Sequence, residues 1–369
     1  MRVLMTGGGT GGHVNPAIAI ANTIKKHDPS AVIEFVASSG RTDKACDLVP
    51  RAGYILHKLD VCASYSIIDL RNIKTVYYMI KSERQARELI ESFRPDVIVG
   101  TGGYACYPLL SAGAKLGIPT LVHESNAKPG RAVRRLARKI DCVMTNFEMD
   151  KNRLPGARRI LNVGNPTLFE GDITAGKTTD RHNDGYLRRV VSFGGSGGSL
   201  SINREMLRIL PHLAEKYPQV QFYHASGKRD YEWMKQGFDE SGLSGRANVT
   251  LVEYIYDMHE RMAGADLLIC RAGAMTISEV ALMGKAAIFV PFPDAAANHQ
   301  YENAKRLSDG GACELVTEDD FPKDALAAAI EKLISDDAKR REYGENVKKF
   351  ARQDANELIY QEIMRAIKG

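Results

Sequence analysis

The fold is decided near the N-terminus by the stretch VLMTGGGTGGHV, residues 3–14, in which a short apolar run leads directly into a series of glycines. The apolar run is typical of a buried strand, and Gly7, Gly9 and Gly12 then satisfy the pattern G-x-G-x-x-G ahead of a helix. Such glycines let the backbone approach a diphosphate, and the helix N-terminus adds amide donors and a partial positive charge. The stretch therefore predicts a Rossmann-like unit with a phosphate-binding turn.

The same arrangement returns about half a chain later as VVSFGGSGG, residues 190–198. Short β-branched runs alternate with amphipathic stretches around both copies, which is the βαβ pattern of a parallel sheet covered on both faces. We expect strands at 3–5, 32–36, 97–99, 120–122, 190–193, 249–252, 267–270 and 287–290, and helices at 16–26, 82–93 and 130–140. The chain is thus predicted to be α/β, with two Rossmann-like doubly wound domains that face an interdomain cleft.

Two further segments mark the organisation of the chain. Residues 170–187 are polar, rich in turn formers and without periodicity, so they are expected to be a linker or long loop. The tail, 337–368, has the pattern of two charged helices that pack back against one of the domains.

The composition excludes several classes of protein. The chain has 369 residues, of which 44% are apolar and 26% charged, a mixture typical of globular proteins and unlike disordered, collagen-like or coiled-coil chains. No apolar run reaches the roughly 18 residues of a membrane span. The six cysteines form no C-x-x-C pair, which favours reduced thiols over a zinc site or disulfides. A net charge of +5 is too small to demand nucleic acid as a partner, and we expect none.

Three features of the sequence argue against common nucleotide and metal sites. The second strand ends without the acid that binds ribose in dinucleotide folds, since Glu34 falls in mid-strand. The run GDITAGKT at 171–178 has the letters of a P-loop but lacks a strand before it and a helix after it. No D-x-D pair is present to hold a divalent cation against a diphosphate. No metal and no cofactor are therefore predicted.

Other polar turns follow predicted strands, where ligands of parallel sheets bind. They are GTGGY at 100–104, HESN at 123–126 and RAGAMTISE at 271–279. His13 begins the first helix and serves either as a capping or packing residue or as a catalytic or substrate contact. Glu279 either completes a capping box that starts at Thr276 or binds a ribose diol, and the sequence leaves both roles open.

The ordered set of motifs resembles the MurG family of glycosyltransferases. The resemblance rests on GGGTGGHVNP (7–16), GTGGY (100–104), HESN (123–126), VGNP (163–166), FGGSGG (193–198), CRAGAMTISE (270–279) and VPFPD…NHQY (290–301), and it spans nearly the whole chain. It implies the GT-B arrangement, with an N-terminal domain of residues 1–163 joined by the C-terminal helix at about 350–369. A UDP-sugar-binding domain of residues 164–349 would complete it.

The resemblance also implies a reaction and a location. N-acetylglucosamine would pass from UDP-N-acetylglucosamine to the 4-hydroxyl of the MurNAc-pentapeptide of lipid I, with inversion, to form lipid II for peptidoglycan synthesis. The family needs no metal for this chemistry. The enzyme would lie peripherally at the cytoplasmic face of the bacterial cell membrane, where other wall-synthesis proteins are possible partners.

Carried over by position, the resemblance implies a set of donor contacts. Glu279 would bind the ribose hydroxyls, Ile255 the uracil through its backbone, and Gln300 the sugar. The remaining contacts would be Thr10, Gly11, Gly12, Asn126, Ser196, Ala274, Met275, Thr276, Ile277 and Ser278. We predict that His13 is the general base or positions the acceptor hydroxyl, with Glu124 as the second catalytic candidate.

The chain departs from the family pattern at two places. Ser125 stands where the family has Gln, and Leu168 replaces an Arg that commonly follows the VGNP motif. The loop before Gln300 varies in length within the family, which leaves His299 as an alternative sugar contact.

Two segments of the first half have the composition of membrane-surface helices. Residues 71–87 combine tyrosines and aliphatic residues with flanking cations, and residues 130–140 carry five basic side chains around an apolar stripe. Ordinary amphipathic helices with a solvated basic face are the alternative. We predict an anionic membrane surface as a partner.

Three other functions compete with this assignment. They are a UDP-sugar transferase of the same fold with a different acceptor, a Rossmann oxidoreductase that uses NAD(P), and a nucleotide-binding scaffold without catalysis. The absence of the ribose acid argues against the oxidoreductase, and the second glycine-rich half argues for a two-domain transferase.

Overall fold

A computed structural model describes residues 1–40, 43–61, 71–103, 105–168, 185–195, 197–295 and 298–369. The chain forms two compact units, one of Met1–Leu168 with Arg352–Gly369 and one of Phe169–Ala351. No described helix is both long enough and apolar enough to cross a bilayer.

The first unit is built on a seven-stranded parallel sheet in the order β3-β2-β1-β4-β5-β6-β7. Its strands are β1 (Arg2–Thr6), β2 (Val32–Ser38), β3 (Ile55–Leu59), β4 (Val97–Gly100), β5 (Thr120–Glu124), β6 (Cys142–Thr145) and β7 (Ile160–Asn162). Its helices are α1 (Gly11–His27), α2 (Ala45–Arg51), α3 (Arg71–Phe93), α4 (Cys106–Lys115) and α5 (Arg131–Leu136), together with the last helix of the chain, α13 (Ala355–Lys368).

Both faces of this sheet are buried, which explains why its central strands are apolar throughout. Val3 and Met5 point into a core shared with α1, whereas Leu4 points into a core shared with α3, α4 and α5. Each strand therefore contributes alternate side chains to two separate cores.

The C-terminal helix belongs to the first unit because it completes the core on the α1 side. Ile359 and Ile363 of α13 are fully buried there. The amide nitrogen of Thr167 donates to Asn356 Oδ1 at 3.1 Å, and Asn356 Nδ2 donates back to the carbonyl of Thr167 at 2.9 Å. These buried bonds keep residues 164–168 with the first unit, five residues beyond the boundary expected from the sequence.

The second unit repeats the architecture with a six-stranded parallel sheet in the order β10-β9-β8-β11-β12-β13. Its strands are β8 (Arg188–Phe193), β9 (Val220–Ala225), β10 (Val249–Val252), β11 (Leu267–Cys270), β12 (Ala287–Phe289) and β13 (Glu314–Leu315). Its helices are α6 (Leu200–Lys216), α7 (Tyr231–Glu240), α8 (Met258–Gly264), α9 (Ala274–Met283), α10 (His299–Asp309), α11 (Ala325–Ser335) and α12 (Asp337–Lys348), with a 3-10 helix at Glu318–Lys323.

The strand order creates one topological switch point in each sheet. β1 pairs with both β2 and β4, and β8 pairs with both β9 and β11, so the chain leaves these adjacent strands toward opposite faces. The parallel register sets Thr6 level with Gly100 and Phe193 level with Cys270. The glycine-rich turns and the polar turns that follow these strands therefore emerge side by side.

The sequence-based element predictions are confirmed for the eight strands named and for the two helices of the tail. The predicted helix at 130–140 is shorter, since α5 ends at Leu136. The sequence missed β3, β6, β7, β9 and β13. Of these, β3, β7 and β13 lie at sheet edges, β6 has only four residues, and polar residues interrupt the apolar pattern of β9 (VQFYHA). Most of the predicted linker, and the P-loop-like run at 171–178, lie outside the described residues.

Candidate functional site

Two glycine turns of the first unit interlock at its switch point. Gly103 has a φ of +89°, and a Cβ there would lie 2.4 Å from the carbonyl oxygen of Gly8. Gly102 has a φ of +106°, and a Cβ there would lie 2.7 Å from Cδ2 of His13. Only glycine satisfies both the positive φ and the close approach. The turn after β4 therefore lies directly against the turn after β1 and against His13.

The structure fixes the imidazole of His13 in a defined orientation. His13 Nδ1 lies 3.1 Å from the carbonyl oxygen of Gly8, which can only accept, so in the neutral imidazole Nδ1 carries the proton and Nε2 carries the lone pair. The buried hydroxyl of Thr101 donates to the carbonyl of His13 at 2.6 Å and holds its backbone. This tautomer is the one a general base with its reactive nitrogen at Nε2 requires.

The N-terminus of α1 beside His13 is suited to an anion. Thr10 is the N-cap residue, its side chain makes no capping bond, and the first turn of the helix contains no acidic residue. Gly11 and Gly12 leave the backbone amides of this turn uncovered by side chains, and Thr10 and Gly12 are exposed. The amides and the helix dipole together favour a phosphate or another anion here.

Asp43 occupies the region where a dinucleotide-binding fold would place its ribose acid, and the sequence analysis missed it. Its buried carboxylate accepts backbone bonds from Gly9 at 2.8 Å, Ala45 at 3.0 Å and Ser38 at 3.2 Å. A carboxylate used in this way anchors the glycine turn and is not available to a ribose. The signal in the sequence was weak, because Asp43 follows the strand by five residues.

Glu124 and Asn126 form one compact loop after β5. Glu124 is buried, and its carboxylate accepts from the amide and the side chain of Asn126 at 2.9 and 3.1 Å and from the amide of Gly130 at 2.7 Å. Burial raises the pKa of Glu124 above its usual range, while these bonds oppose the shift. The geometry suits a residue that orients Asn126, and the catalytic role of Glu124 stays a prediction.

Ser125, the departure from the family pattern, is buried beneath this loop. Its hydroxyl lies 3.4 Å from Nδ1 of His123, whose Nε2 donates to the carbonyl of Gly164 at 2.8 Å. Burial lowers the pKa of His123 to about 4, so this histidine is neutral at physiological pH. It connects two turns of the first unit and has the environment of a structural residue.

In the second unit, the helix that follows β11 begins earlier than a capping box would require. α9 starts at Ala274 with Gly273 as its N-cap, so Thr276 is the third helical residue and Glu279 lies in the second turn. A capping box needs its Ser or Thr at the N-cap and its Glu three residues later. The capping interpretation of Glu279 is therefore wrong. The first turn of α9 contains no acidic residue, so its amides and dipole favour an anion.

Glu279 has the properties of a ligand-binding carboxylate. Its side chain is half-buried, and within the described part of the chain it has no hydrogen-bond or ion-pair partner. Burial raises the pKa of Glu279 to about 7. An acid this perturbed at a topological switch point is a functional-site candidate on physical grounds.

The other predicted donor contacts are distributed along the same edge of the second sheet. Ile255, between β10 and α8, buries its side chain. The rings of its neighbours Tyr254 and Tyr256 contact each other edge to face, with their centroids 5.0 Å apart. Gln300 Oε1 accepts the amide of Phe292 at 3.0 Å, which fixes the loop ahead of α10. Ser196 lies outside the described residues.

The remaining predicted positions lie on helix starts and loops. His299 is the first residue of α10, next to Gln300, and Leu168 is exposed at the end of the first unit's segment. Of the predicted run on α9, Ala274, Ile277 and Ser278 are buried, whereas Met275 and Thr276 are half-buried. Among the described residues, no three His, Cys, Asp or Glu side chains are grouped as metal ligands would be.

Arg271 is a polar residue at this edge that the sequence analysis did not single out. It follows β11 directly, is largely buried, and pairs with Glu318 at 2.6 Å. A charged residue directly after a fully apolar strand was the signal that would have identified it.

Family models match both halves of the chain. The model of the glycosyltransferase family 28 N-terminal domain matches residues 3–145, and that of the family 28 C-terminal domain matches residues 189–359.

Individual proteins are similar over the full length. The chain is 36% identical over 373 residues to a protein of Alkaliphilus metalliredigens named UDP-N-acetylglucosamine--N-acetylmuramyl-(pentapeptide) pyrophosphoryl-undecaprenol N-acetylglucosamine transferase, with 100% of each chain covered. A protein of the same name from Caldanaerobacter subterraneus is 36% identical over 98% of each chain. The crystal structure of Acinetobacter baumannii MurG aligns with a TM-score of 0.79 and 26% identity over 99% of each chain.

The raised pKa of Glu279 leads to a prediction about stability. The pKa of this carboxyl rises from 4.5 in the unfolded chain to about 7 in the folded protein. The folded protein therefore becomes less stable as the pH rises between these two values, because the buried carboxyl ionises less readily than in the unfolded chain. Glu279→Gln removes the charge, so we expect the variant to match the wild type at pH 5 and to melt at a higher temperature at pH 8. Thermal unfolding across this pH range measures the difference, and the exposed Glu260→Gln serves as control. A variant that is less stable than the wild type at pH 8 would contradict the assignment.

Proposed function

The chain belongs to glycosyltransferase family 28, and from this premise we propose which reaction it catalyses. It transfers N-acetylglucosamine from UDP-N-acetylglucosamine to the 4-hydroxyl of the MurNAc-pentapeptide of lipid I, and so forms lipid II for peptidoglycan synthesis. The observation that carries this proposal is the full-length similarity, at 36% identity, to a transferase whose name gives this donor and this acceptor.

The second unit binds the donor in this proposal. The diphosphate lies at the N-terminus of α9, where the amides of Ala274, Met275 and Thr276 and the helix dipole offset its charge. Glu279 accepts hydrogen bonds from the ribose hydroxyls, which it is able to do because no protein group occupies its carboxylate among the described residues. The backbone of Ile255 contacts the uracil and Gln300 contacts the sugar. Ser196 adds a donor contact from the glycine turn.

The first unit supplies the acceptor side and the base. His13 Nε2 removes the proton of the acceptor 4-hydroxyl as its oxygen attacks C1 of the donor sugar. The bond from C1 to the diphosphate oxygen breaks, the configuration at C1 inverts, and UDP leaves with the electron pair. Thr10, Gly11 and Gly12 line the turn beside this base, and Asn126 is held beside Glu124.

The competing functions differ in the ligand that they require. The use of Asp43 by three backbone amides disfavours the NAD(P) oxidoreductase, because a dinucleotide site needs a free acid after the second strand. A transferase with another acceptor would share the donor. A thermal-shift panel of UDP-N-acetylglucosamine, other sugar nucleotides, NAD(P) and ATP separates these classes, because a ligand at 100 times its Kd adds about 2.7 kcal/mol to stability.

His13 carries the main kinetic prediction. We expect His13→Ala to lower kcat for transfer of labelled N-acetylglucosamine to a lipid I analogue by about 10²–10⁴-fold, because the proton acceptor is lost. Donor affinity should stay unchanged, since His13 is not among the predicted donor contacts. The exposed His212→Ala is the matched control and should retain full activity. Turnover like that of the wild type in His13→Ala would move the role to Glu124, which Glu124→Gln then tests.

Glu279 carries a prediction about donor affinity. Ribose hydroxyls bind the carboxylate better than the acid, so binding must release a proton whenever the pH lies below the pKa of about 7. We expect the Kd for UDP-N-acetylglucosamine to be about tenfold higher at pH 6 than at pH 8. Isothermal titration calorimetry measures this ratio, and in Glu279→Gln the affinity should be weaker and independent of pH. A wild-type affinity that is equal at both pH values would refute the ribose contact.

A lipid-linked acceptor requires the enzyme to bind the membrane surface. The sequence predicted that each of two segments combines apolar and basic residues for this purpose, whereas in the structure α5 offers the basic residues and α3 the apolar ones. The apolar stripe of the predicted membrane-surface segment 130–140 consists of Val133, Leu136, Ala137 and Ile140, and all four are buried in the core with α3 and α4. The basic face of α5 and of the turn after it remains: Arg131, Arg134, Arg135 and Arg138 are exposed and have no ion-pair partner in the described ranges. We propose that this face binds anionic lipid at the cytoplasmic side of the membrane.

The apolar contribution comes from α3, which packs into the same core as α4 and α5 and so covers the same face of the sheet. Tyr77 is 60% and Ile80 67% exposed, which is unusual for such side chains and suits an interfacial contact. Arg84 and Arg87 pair with Glu88 and Glu91, so they add little net charge. The side chains of residues 71–76 and 79 lie outside the described part of the chain.

We expect the protein to sediment with anionic vesicles and to be released by high salt. Charge reversal at Arg131, Arg134 and Arg135 should weaken this binding without affecting UDP binding, because each cation near an anionic surface contributes about 1 kcal/mol. Reversal at Lys235, Lys323 and Lys349 of the second unit changes the net charge equally and should leave sedimentation unchanged. Equal losses in both variants would mean that net charge alone, and not the α5 face, governs attachment.

A further inference from the structure

Arg271 joins several turns of the second unit through a single buried guanidinium. Its Nη1 donates to the carbonyls of Val290 at 3.2 Å and Pro291 at 3.0 Å. Its Nη2 donates to the hydroxyls of Ser199 at 2.6 Å and Ser201 at 2.9 Å. The side chain is only 11% exposed, so these bonds form largely away from water.

The network closes through the acid that neutralises the guanidinium. Glu318 Oε1 lies 2.6 Å from Arg271 Nη2 and also accepts the hydroxyl of Ser201 at 2.7 Å. The ring of Phe292 lies over the guanidinium, 5.3 Å from its carbon. A buried charge with this many partners is well compensated, and removal of one partner is costly.

The contacts of Arg271 span four adjacent strands of the sheet at their carboxyl ends. Arg271 itself follows β11, Val290 and Pro291 follow β12, and Glu318 opens the 3-10 helix after β13. Ser199 is the N-cap of α6, the helix that follows β8 and its glycine turn. One side chain thus links the end of the glycine turn, the start of α9 and the start of the loop that leads to Gln300.

We propose that Arg271 is a positioning residue that holds the diphosphate- and sugar-binding segments of the second unit in register. The inference rests on the proposed function, because it takes the N-terminus of α9, the glycine turn and Gln300 as donor contacts. Arg271 acts through these segments, since protein partners engage both of its terminal nitrogens. Its own role is to fix the distance between the α9 amides and Gln300.

The residue type matters for this role. Arginine presents five donors in a rigid plane and can satisfy acceptors on several sides at once, whereas lysine presents a compact ammonium group. Lysine at position 271 would keep the charge beside Glu318. It would lack the reach to bond the carbonyls of Val290 and Pro291 and the hydroxyl of Ser199 together.

The uridine contacts lie outside this network. Ile255 follows β10, at the opposite edge of the sheet from β13, and none of the bonds that Arg271 forms with described residues reaches it. Glu279 lies in the second turn of α9, which is anchored independently by the buried side chains of Ile277, Val280 and Ala281. A defect at Arg271 should therefore weaken recognition of the diphosphate and sugar but spare that of the nucleoside.

The test compares two ligands on the full chain. We expect Arg271→Lys to raise the Kd for UDP-N-acetylglucosamine, and its KM, by about tenfold or more, because several charge-assisted bonds are lost. The Kd for uridine, measured by competition, should change by less than about twofold. Arg208→Lys is the matched control, since Arg208 bonds Glu205 and Asp324 in the same unit, and it should change neither affinity.

A second variant guards against a loss of folding in Arg271→Lys. Ser201→Ala keeps both charges and removes the bridge between Arg271 and Glu318, so a several-fold increase in the Kd for UDP-N-acetylglucosamine with unchanged uridine affinity is expected. Equal losses for both ligands, or no loss in Ser201→Ala and Arg271→Lys, would overturn the inference. Failure of the wild type to bind UDP-N-acetylglucosamine would instead overturn the proposed function.

Discussion

The close approach of two backbone turns at the switch point of the first sheet is the constraint on which its candidate site depends. The carbonyl of Gly8 leaves no room for a side chain at position 103, and the His13 ring leaves none at position 102. Parallel pairing of β1 with β4 brings these turns to the same level. The imidazole is thereby placed and its tautomer set by backbone groups, which do not change rotamer and which need no reorganisation when a substrate binds.

In the second unit, the turns at the switch point of the sheet are also held together, but by a different kind of interaction. There the turns after β8, β11, β12 and β13 are tied by the guanidinium of Arg271 and its acidic partner. Backbone contact fixes distances by steric exclusion, whereas a hydrogen-bonded guanidinium fixes directions as well. A donor with a diphosphate and a sugar needs several segments at set distances, and a planar group with five donors is suited to that purpose.

Charge is distributed between the candidate sites in a way that helps to explain their chemistry. The helices at both switch points begin without acidic residues, so each offers amides and a partial positive charge to a phosphate. The carboxylates of Asp43 and Glu124 accept hydrogen bonds from backbone amides near these turns. Burial raises the pKa of Glu279, so its carboxyl ionises less easily. Anionic ligands therefore meet little repulsion where they are expected to bind.

The sequence by itself determined the fold class, the two glycine turns and the family, because strand–glycine–helix patterns are local and their order along the chain is specific. It also predicted most central strands, whose apolar runs follow directly from burial on both faces. Short edge strands such as β7 and β13 were missed, since a few half-buried residues carry no distinct pattern.

Only the tertiary structure decided the roles that depend on where an element begins or on what a side chain contacts. The start of α9 at Ala274 removed Glu279 from a capping box, and a one-turn shift of a helix start has no local signature. Val133 and Leu136 are buried in the core, so the apolar face of α5 is not available at the surface. The sequence could not show this, because an amphipathic pattern does not say what covers the apolar side. The network of Arg271 joins residues more than a hundred positions apart, and such proximity exists only in the folded chain.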